Sequence, residues 1–122
     1  MKLKDNFFQI KEKSQSKTGI DFTIEFNPEH FIYQSHFPEN PITPGVCIIQ
    51  IIKELAEVIL ERKLFLKKLQ TVKFLNVINP LENKEVIFSL SIFSEVDNYK
   101  VDTVVCHKDQ LFSKSTILFK NQ

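Results

Sequence analysis

His36-Phe37-Pro38-Glu39-Asn40-Pro41-Ile42-Thr43-Pro44-Gly45-Val46 is the stretch whose reading decides the fold of this 122-residue chain. It holds one of three histidines, three of five prolines and one of only two glycines. Proline fixes φ and removes a donor, the residue before each proline is pushed to extended geometry, and glycine admits a backbone approach that a Cβ would block. The segment therefore reads as a rigid loop carrying a histidine. Cys47 to Leu60 follows with no proline and no glycine. That run predicts a buried helix whose first turn offers open N–H groups near Gly45. A histidine, free amides and the positive end of a helix dipole converge there.

Outward from this centre the chain alternates. Ile20, Phe22, Ile24 and Phe26 interleave with Asp21, Thr23 and Glu25, the period of a strand buried on one face, and Asn27-Pro28 ends it. Val86 to Ile92, Tyr99 to Val105 and Leu111 to Phe119 repeat that period, separated by the turn pairs Asp97-Asn98 and Lys108-Asp109. The order predicted is two strands, one long helix, then four strands. An apolar sheet face needs a second layer, and only the helix is apolar enough to supply it. The fold class is therefore α+β, one antiparallel sheet of about six strands wrapped around one long central helix.

Composition narrows the function. The length suits a single domain over residues 1–122, with 43% apolar residues and twelve Phe that must mostly lie inside. Sixteen basic and fifteen acidic residues are interspersed, which gives no footprint for nucleic acid or an anionic membrane. Cys47 in the helix and Cys106 in a strand lack metal-ligand spacing and read as buried thiols of a reducing compartment. No metal site is expected. The start Met1-Lys2-Leu3-Lys4-Asp5 has no apolar targeting core and no run approaches membrane-spanning length, so a cytoplasmic protein is the expectation.

The pattern His-Phe-Pro-x-x-Pro-Ile-x-Pro-Gly-Val before an apolar helix resembles the FabZ-type 3-hydroxyacyl-(acyl carrier protein) dehydratases of the hot-dog superfamily. Val72 to Pro80 is similar, more loosely, to a strand of that family. The resemblance implies a hot-dog domain and removal of water from 3-hydroxyacyl thioesters to give trans-2-enoyl thioesters. It implies no cofactor beyond a substrate carried on the phosphopantetheine of acyl carrier protein or on CoA. Acyl carrier protein is the implied partner, along with a second hot-dog subunit in a homodimer or heterodimer, because the family builds its site across two chains. Two positions depart from the family. Ser35 stands where it has Gly, and Gln50, fourteen residues after the histidine, stands where it has a catalytic Glu.

On this resemblance His36 is the base that takes the C2 proton, a task suited to neutral imidazole. The Gly45 or Val46 amide at the helix start is the oxyanion donor. Phe37, Pro44 and Val46 line the substrate. Gln50 orients the departing hydroxyl but cannot deliver a proton as a carboxylic acid does. The family carries Glu and then Gln four residues on, whereas this chain has Gln50 and then Glu54, so Glu54 is the candidate for a displaced acid. The bland reading stands beside this one: Gln50, Glu54, Glu57 and Glu61 share one arc of the helix and form a solvated face. His30 and His107 lack context and read as surface residues.

Three functions follow. The first is a 3-hydroxyacyl-ACP dehydratase. The second is a non-catalytic or weakly active subunit that binds acyl carrier protein or stabilises an active dehydratase partner. The third is a hot-dog acyl thioesterase, with the Gln50–Glu54 pair placing a water.

Overall fold

A computed structural model describes residues 1–35 and 39–122; His36, Phe37 and Pro38 lie outside the described residues. Six antiparallel strands form one sheet: β1 (Phe8–Gln15), β2 (Ile20–Phe26), β3 (Leu64–Phe74), β4 (Glu85–Ser94), β5 (Tyr99–His107) and β6 (Gln110–Asn121). Their spatial order is β1-β2-β4-β5-β6-β3, so β1 and β3 are the edges. Between β2 and β3 lie the short helix α1 (Phe31–Ser35) and the long helix α2 (Gly45–Leu60). This is the expected α+β arrangement, with the sheet packed on one principal helix.

The period-two runs decide which face is inner. Phe22, Ile24 and Phe26 of β2, Val86, Phe88 and Leu90 of β4, and Val101 and Val105 of β5 are all buried. They join Ile48, Ile51, Ile52 and Leu55 of α2 in one core cluster. Each such side chain contributes about 1.5–3 kcal/mol on full burial. Of the Phe residues, Phe7, Phe8, Phe22, Phe26, Phe88, Phe112 and Phe119 are inside, as composition requires, while Phe31, Phe65, Phe74 and Phe93 are exposed. Gly19, in the β1–β2 turn, is demanded by the sheet, because a Cβ there would stand 2.0 Å from the Leu90 carbonyl oxygen.

Three features depart from the sequence reading. The strand expected over Val72–Pro80 lies earlier, at Leu64–Phe74. Its ladder with β6 closes at Phe74↔Ser113, and the amides of Leu75 and Asn76 then share the Phe112 carbonyl. Helix α1 was not expected after Asn27-Pro28. It forms because Asn27 turns the chain, its Oδ1 accepting the Glu29 amide at 3.0 Å, and His30 Nδ1 accepts the Ile32 amide at 3.1 Å. His30 is therefore a half-buried cap, not a surface residue, with its ring stacked on Phe31 and edge-on to Phe7. Finally, Leu3, Phe7 and Phe8 belong to the core, so the N-terminal segment is built into the fold.

Candidate active site

The loop that carries the candidate site is pinned on both sides of its centre. Tyr33 in α1 and Thr43 are both buried and their hydroxyls are hydrogen-bonded at 2.7 Å, linking the chain before His36 to the chain after it. Burial pushes the Tyr33 phenol far above its usual range, so it stays protonated. The Thr43 amide donates to the Ile78 carbonyl at 2.8 Å, and Asn79 Nδ2 donates to Asn40 Oδ1 at 3.1 Å. Nothing linear marked Tyr33, Thr43 or Ile78 as loop anchors. The only signal was a Tyr and a Thr in a segment otherwise rigidified by proline.

Pro44 occupies the N-cap of α2 with φ −63° and ψ 145°, and no side chain caps the helix. The Cys47 and Ile48 amides bond the Pro44 carbonyl, and the first-turn amides of Gly45 and Val46, which helix geometry leaves without intrahelical partners, find none among the described residues. Gly45 lets the Phe74 ring approach: a Cβ on it would come within 2.7 Å of Phe74 Cζ, so the ring end would have to shift. The Phe74 ring thus lies against the start of the helix while remaining 51% exposed, and Val46 beside it is 64% exposed. Open amides are here flanked by uncovered apolar surface. Cys47 sits in the same turn, yet burial raises its thiol above the usual value, so the helix terminus does not convert it into a thiolate nucleophile.

Further along α2 the polar stripe behaves otherwise. Glu54 is only 6% exposed. Its Oε2 accepts the Leu3 amide at 2.8 Å and Gln50 Nε2 at 2.8 Å, and its Oε1 accepts the Lys4 amide at 2.7 Å. Gln50 Nε2 also donates to the Met1 carbonyl at 2.8 Å. Glu57 accepts the Leu64 amide at 2.9 Å. Glu61 alone fits a solvated face: it is exposed, in the left-handed C-cap conformation with φ 54°. Glu54 and Glu57 instead tie the N-terminal segment and the start of β3 to the helix, which corrects the reading of Glu57 as merely solvated. A groove of about 630 Å³ flanks this contact, lined by Gln50, Lys53, Glu57 and Arg62 among others.

The structure thus gathers Pro44, Gly45, Val46 and Phe74 at the helix start. Gln50 is placed one turn beyond Val46 on the same arc, and Glu54 is turned under the N-terminal segment. His36 and Phe37, the expected base and one expected substrate contact, lie outside the described residues. Two further hydroxyls escaped the sequence reading. Thr103 and Ser115 face each other across β5 and β6 on the inner side, are buried, and find no partner among the described residues. Among those residues there is also no cluster able to hold a metal, and no helix long and apolar enough to cross a membrane.

One antiparallel sheet on one long helix, with a proline-rich loop feeding the helix N-terminus, defines the hot-dog class. Within it, the chain belongs to the ApeI-like family, described as ApeI dehydratase, whose model matches residues 11–115. The structure is similar to the dehydratase heterocomplex ApeI:P from Xenorhabdus doucetiae, at 19% identity over 92% of this chain and 96% of that one, with a TM-score of 0.66. It is also similar to an uncharacterized protein from Erwinia carotovora subsp. atroseptica, at 17% identity, 90% coverage of each chain and a TM-score of 0.68. A conserved protein from Pseudomonas aeruginosa follows at 9% identity, covering 89% and 85% of the two chains, with a TM-score of 0.63. No curated protein matches the chain.

Proposed function

We propose that this chain is a hot-dog dehydratase subunit that removes water from a 3-hydroxyacyl thioester carried on acyl carrier protein or CoA. The observation that carries the reading is the ApeI-like dehydratase match, which spans both the histidine loop and α2. In this proposal His36 abstracts the C2 proton, and the open amides of Gly45 and Val46 receive the negative charge that develops on the thioester oxygen. Pro44, Val46 and Phe37 contact the acyl thioester, and Gln50 orients the C3 hydroxyl. Such amides act best where water is excluded, and the exposed Phe74 and Val46 are suited to excluding it once a second subunit covers them.

Glu54 favours a second reading of the same site. Its carboxylate already holds two backbone amides and the Gln50 side chain, and Gln50 itself carries no proton to give. The chain then contributes the base and the oxyanion donors, while the acid for the leaving hydroxyl comes from the partner subunit. Alone it would turn over slowly or not at all. The test is formation of enoyl thioester from 3-hydroxyacyl thioesters by the purified chain, with His36→Ala as control. A loss of about 10²–10⁴-fold with folding intact is the expected result for a general base. If the wild type is inactive alone and remains so with every hot-dog subunit supplied, the dehydratase reading falls. Release of free thiol without enoyl product would support the thioesterase.

A further inference from the structure

Strand geometry sends every second side chain of the sheet away from α2, and on that outer face charge is unevenly spread. β3 and β6 carry Lys67, Lys68, Lys73, Lys114 and Lys120 and not one carboxylate, so near-neutral composition hides local positive charge. The register sets Lys73 directly opposite Lys114. Neither lysine is in an ion pair among the described residues, where the one salt bridge joins Lys4 to Asp5. Like charges directly opposite each other on a sheet face are destabilising, and an anion seated between them removes that cost.

Two rows of short side chains run inward from these lysines. Lys73 and Lys114 are followed by Val104 and Ser89, and in the next row Thr71 and Thr116 are followed by Asp102 and Ser91. Inside the lysines no side chain of either row is larger than valine, and the rows leave a depression of about 420 Å³, a volume that suits a small molecule. Ser89, Ser91, Asp102 and Thr116 are half-buried on its floor, and both lysines stand exposed at its rim. The Thr116 hydroxyl donates to Asp102 Oδ1 at 2.8 Å, which fixes a carboxylate that still has acceptor sites to spare. Cations thus lie at one end, and a carboxylate with two serine hydroxyls at the other, two strand spacings or roughly 10 Å away. A bare anion would meet the lysines but be repelled by Asp102, whereas a neutral sugar would leave the lysines unbalanced. A ligand with a phosphate at one end and hydroxyl donors at the other satisfies both, because a compact dianion matches two neighbouring ammonium groups.

We propose that this outer-face depression binds a phosphorylated polyol of monosaccharide size, its phosphate held between Lys73 and Lys114 and its hydroxyls received by Asp102, Ser89 and Ser91. The sheet separates this site from α2 and the candidate active site. The probe is glucose 6-phosphate, titrated into the full chain at about 0.05 M salt, where screening is modest, and followed by amide NMR shifts and calorimetry. Shifts at Ser89, Ser91, Asp102 and Lys114 are expected, with affinity at least about tenfold above that for glucose or inorganic phosphate. Lys73→Gln/Lys114→Gln should weaken binding by about tenfold or more and leave Tm unchanged or raised, since a like-charge pair is removed. Asp102→Asn should weaken glucose 6-phosphate yet tighten inorganic phosphate, a reversal that loss of structure would not give. Phosphatidylcholine vesicles doped with phosphatidylinositol 4-phosphate separate the sources: a chain that binds both probes takes this chemistry from a lipid headgroup, and one that binds only glucose 6-phosphate takes it from a free phosphate ester. Absence of shifts at about 10 mM glucose 6-phosphate overturns the proposal. So does equal affinity for inorganic phosphate, binding indifferent to the lysine substitutions, or binding to vesicles alone. No readout uses turnover, so this proposal and the dehydratase reading fail separately.

Discussion

The first turn of α2 and its middle treat their polar groups in opposite ways. At Gly45 and Val46 helix geometry leaves amides without intrahelical partners, no side chain among the described residues caps them, and the flanking Phe74 is half exposed. Around Glu54 nearly everything is satisfied: one buried carboxylate takes two backbone amides and one side-chain amide, all between 2.7 and 2.8 Å. A buried charge is tolerated only when fully hydrogen-bonded, so the Glu54 cluster spends its polarity on holding the N-terminal segment. Open donors beside uncovered apolar surface are poor architecture and good chemistry. The contrast separates a fastening from a site within one helix.

Glu54→Ala should break that contrast most severely. It strands the Leu3 and Lys4 amides, the first of them buried, and hydrogen bonds to charged groups are worth about 1.5–3 kcal/mol each. A loss of roughly 2–4 kcal/mol, or on the order of 10–20 °C in Tm, is expected by calorimetry. If Glu54→Ala melts like the wild type but loses turnover, Glu54 is the displaced acid and not a fastening. Gln50→Glu is next. It replaces a donor to Glu54 by a second carboxylate and leaves the Met1 carbonyl without its partner, so roughly 1–2 kcal/mol of stability should go as the N-terminal segment loosens. A gain in turnover without that loosening, read by amide exchange at Leu3 and Lys4, would show that position 50 faces substrate.

The open end of the helix should respond differently. Gly45→Ala gains up to about 1 kcal/mol in helix propensity and must push aside the far end of the Phe74 ring, which is free to move. Net stability should change by less than about 1 kcal/mol, while any reaction relying on the Gly45 amide should slow by about tenfold or more. A large loss of Tm with activity retained would make this turn structural as well. The smallest effect concerns His30. Burial lowers its pKa, and its Nδ1 already accepts the Ile32 amide. The unfolded chain therefore takes up a proton before the folded one. Stability is unaffected above the ordinary histidine range and falls as pH drops through 6.5 toward the lowered folded value. Amide exchange in α1 should quicken over that window, and His30→Asn, which can still cap, should remove the dependence.

Much of the architecture was legible because it follows from periods. The β2 limits, Ile20–Phe26, coincide with the alternation in sequence, and α2 begins where Pro44-Gly45 permits. β3 was misplaced because Leu64–Phe74 does not alternate in exposure: it is an edge whose inner side is largely uncovered, so the usual contrast of buried and solvated positions is missing. The order Gln50 then Glu54 is legible in the sequence as unusual, but its use is not. A Glu on a helix face reads as solvated unless the chain that covers it is known, and here the cover comes from residues about fifty positions away.

By itself, the sequence determined the class of fold, the rigid loop leading into a helix and the absence of a carboxylate at position 50, since these depend on neighbours along the chain. Only the tertiary structure decided that Glu54 binds the N-terminal amides, that Tyr33 and Thr43 clamp the loop from both sides, and that five lysines gather on two adjacent strands, β3 and β6, that contain no carboxylate. Those outcomes depend on which distant segments a side chain meets, and on charges that cancel in composition yet separate in space.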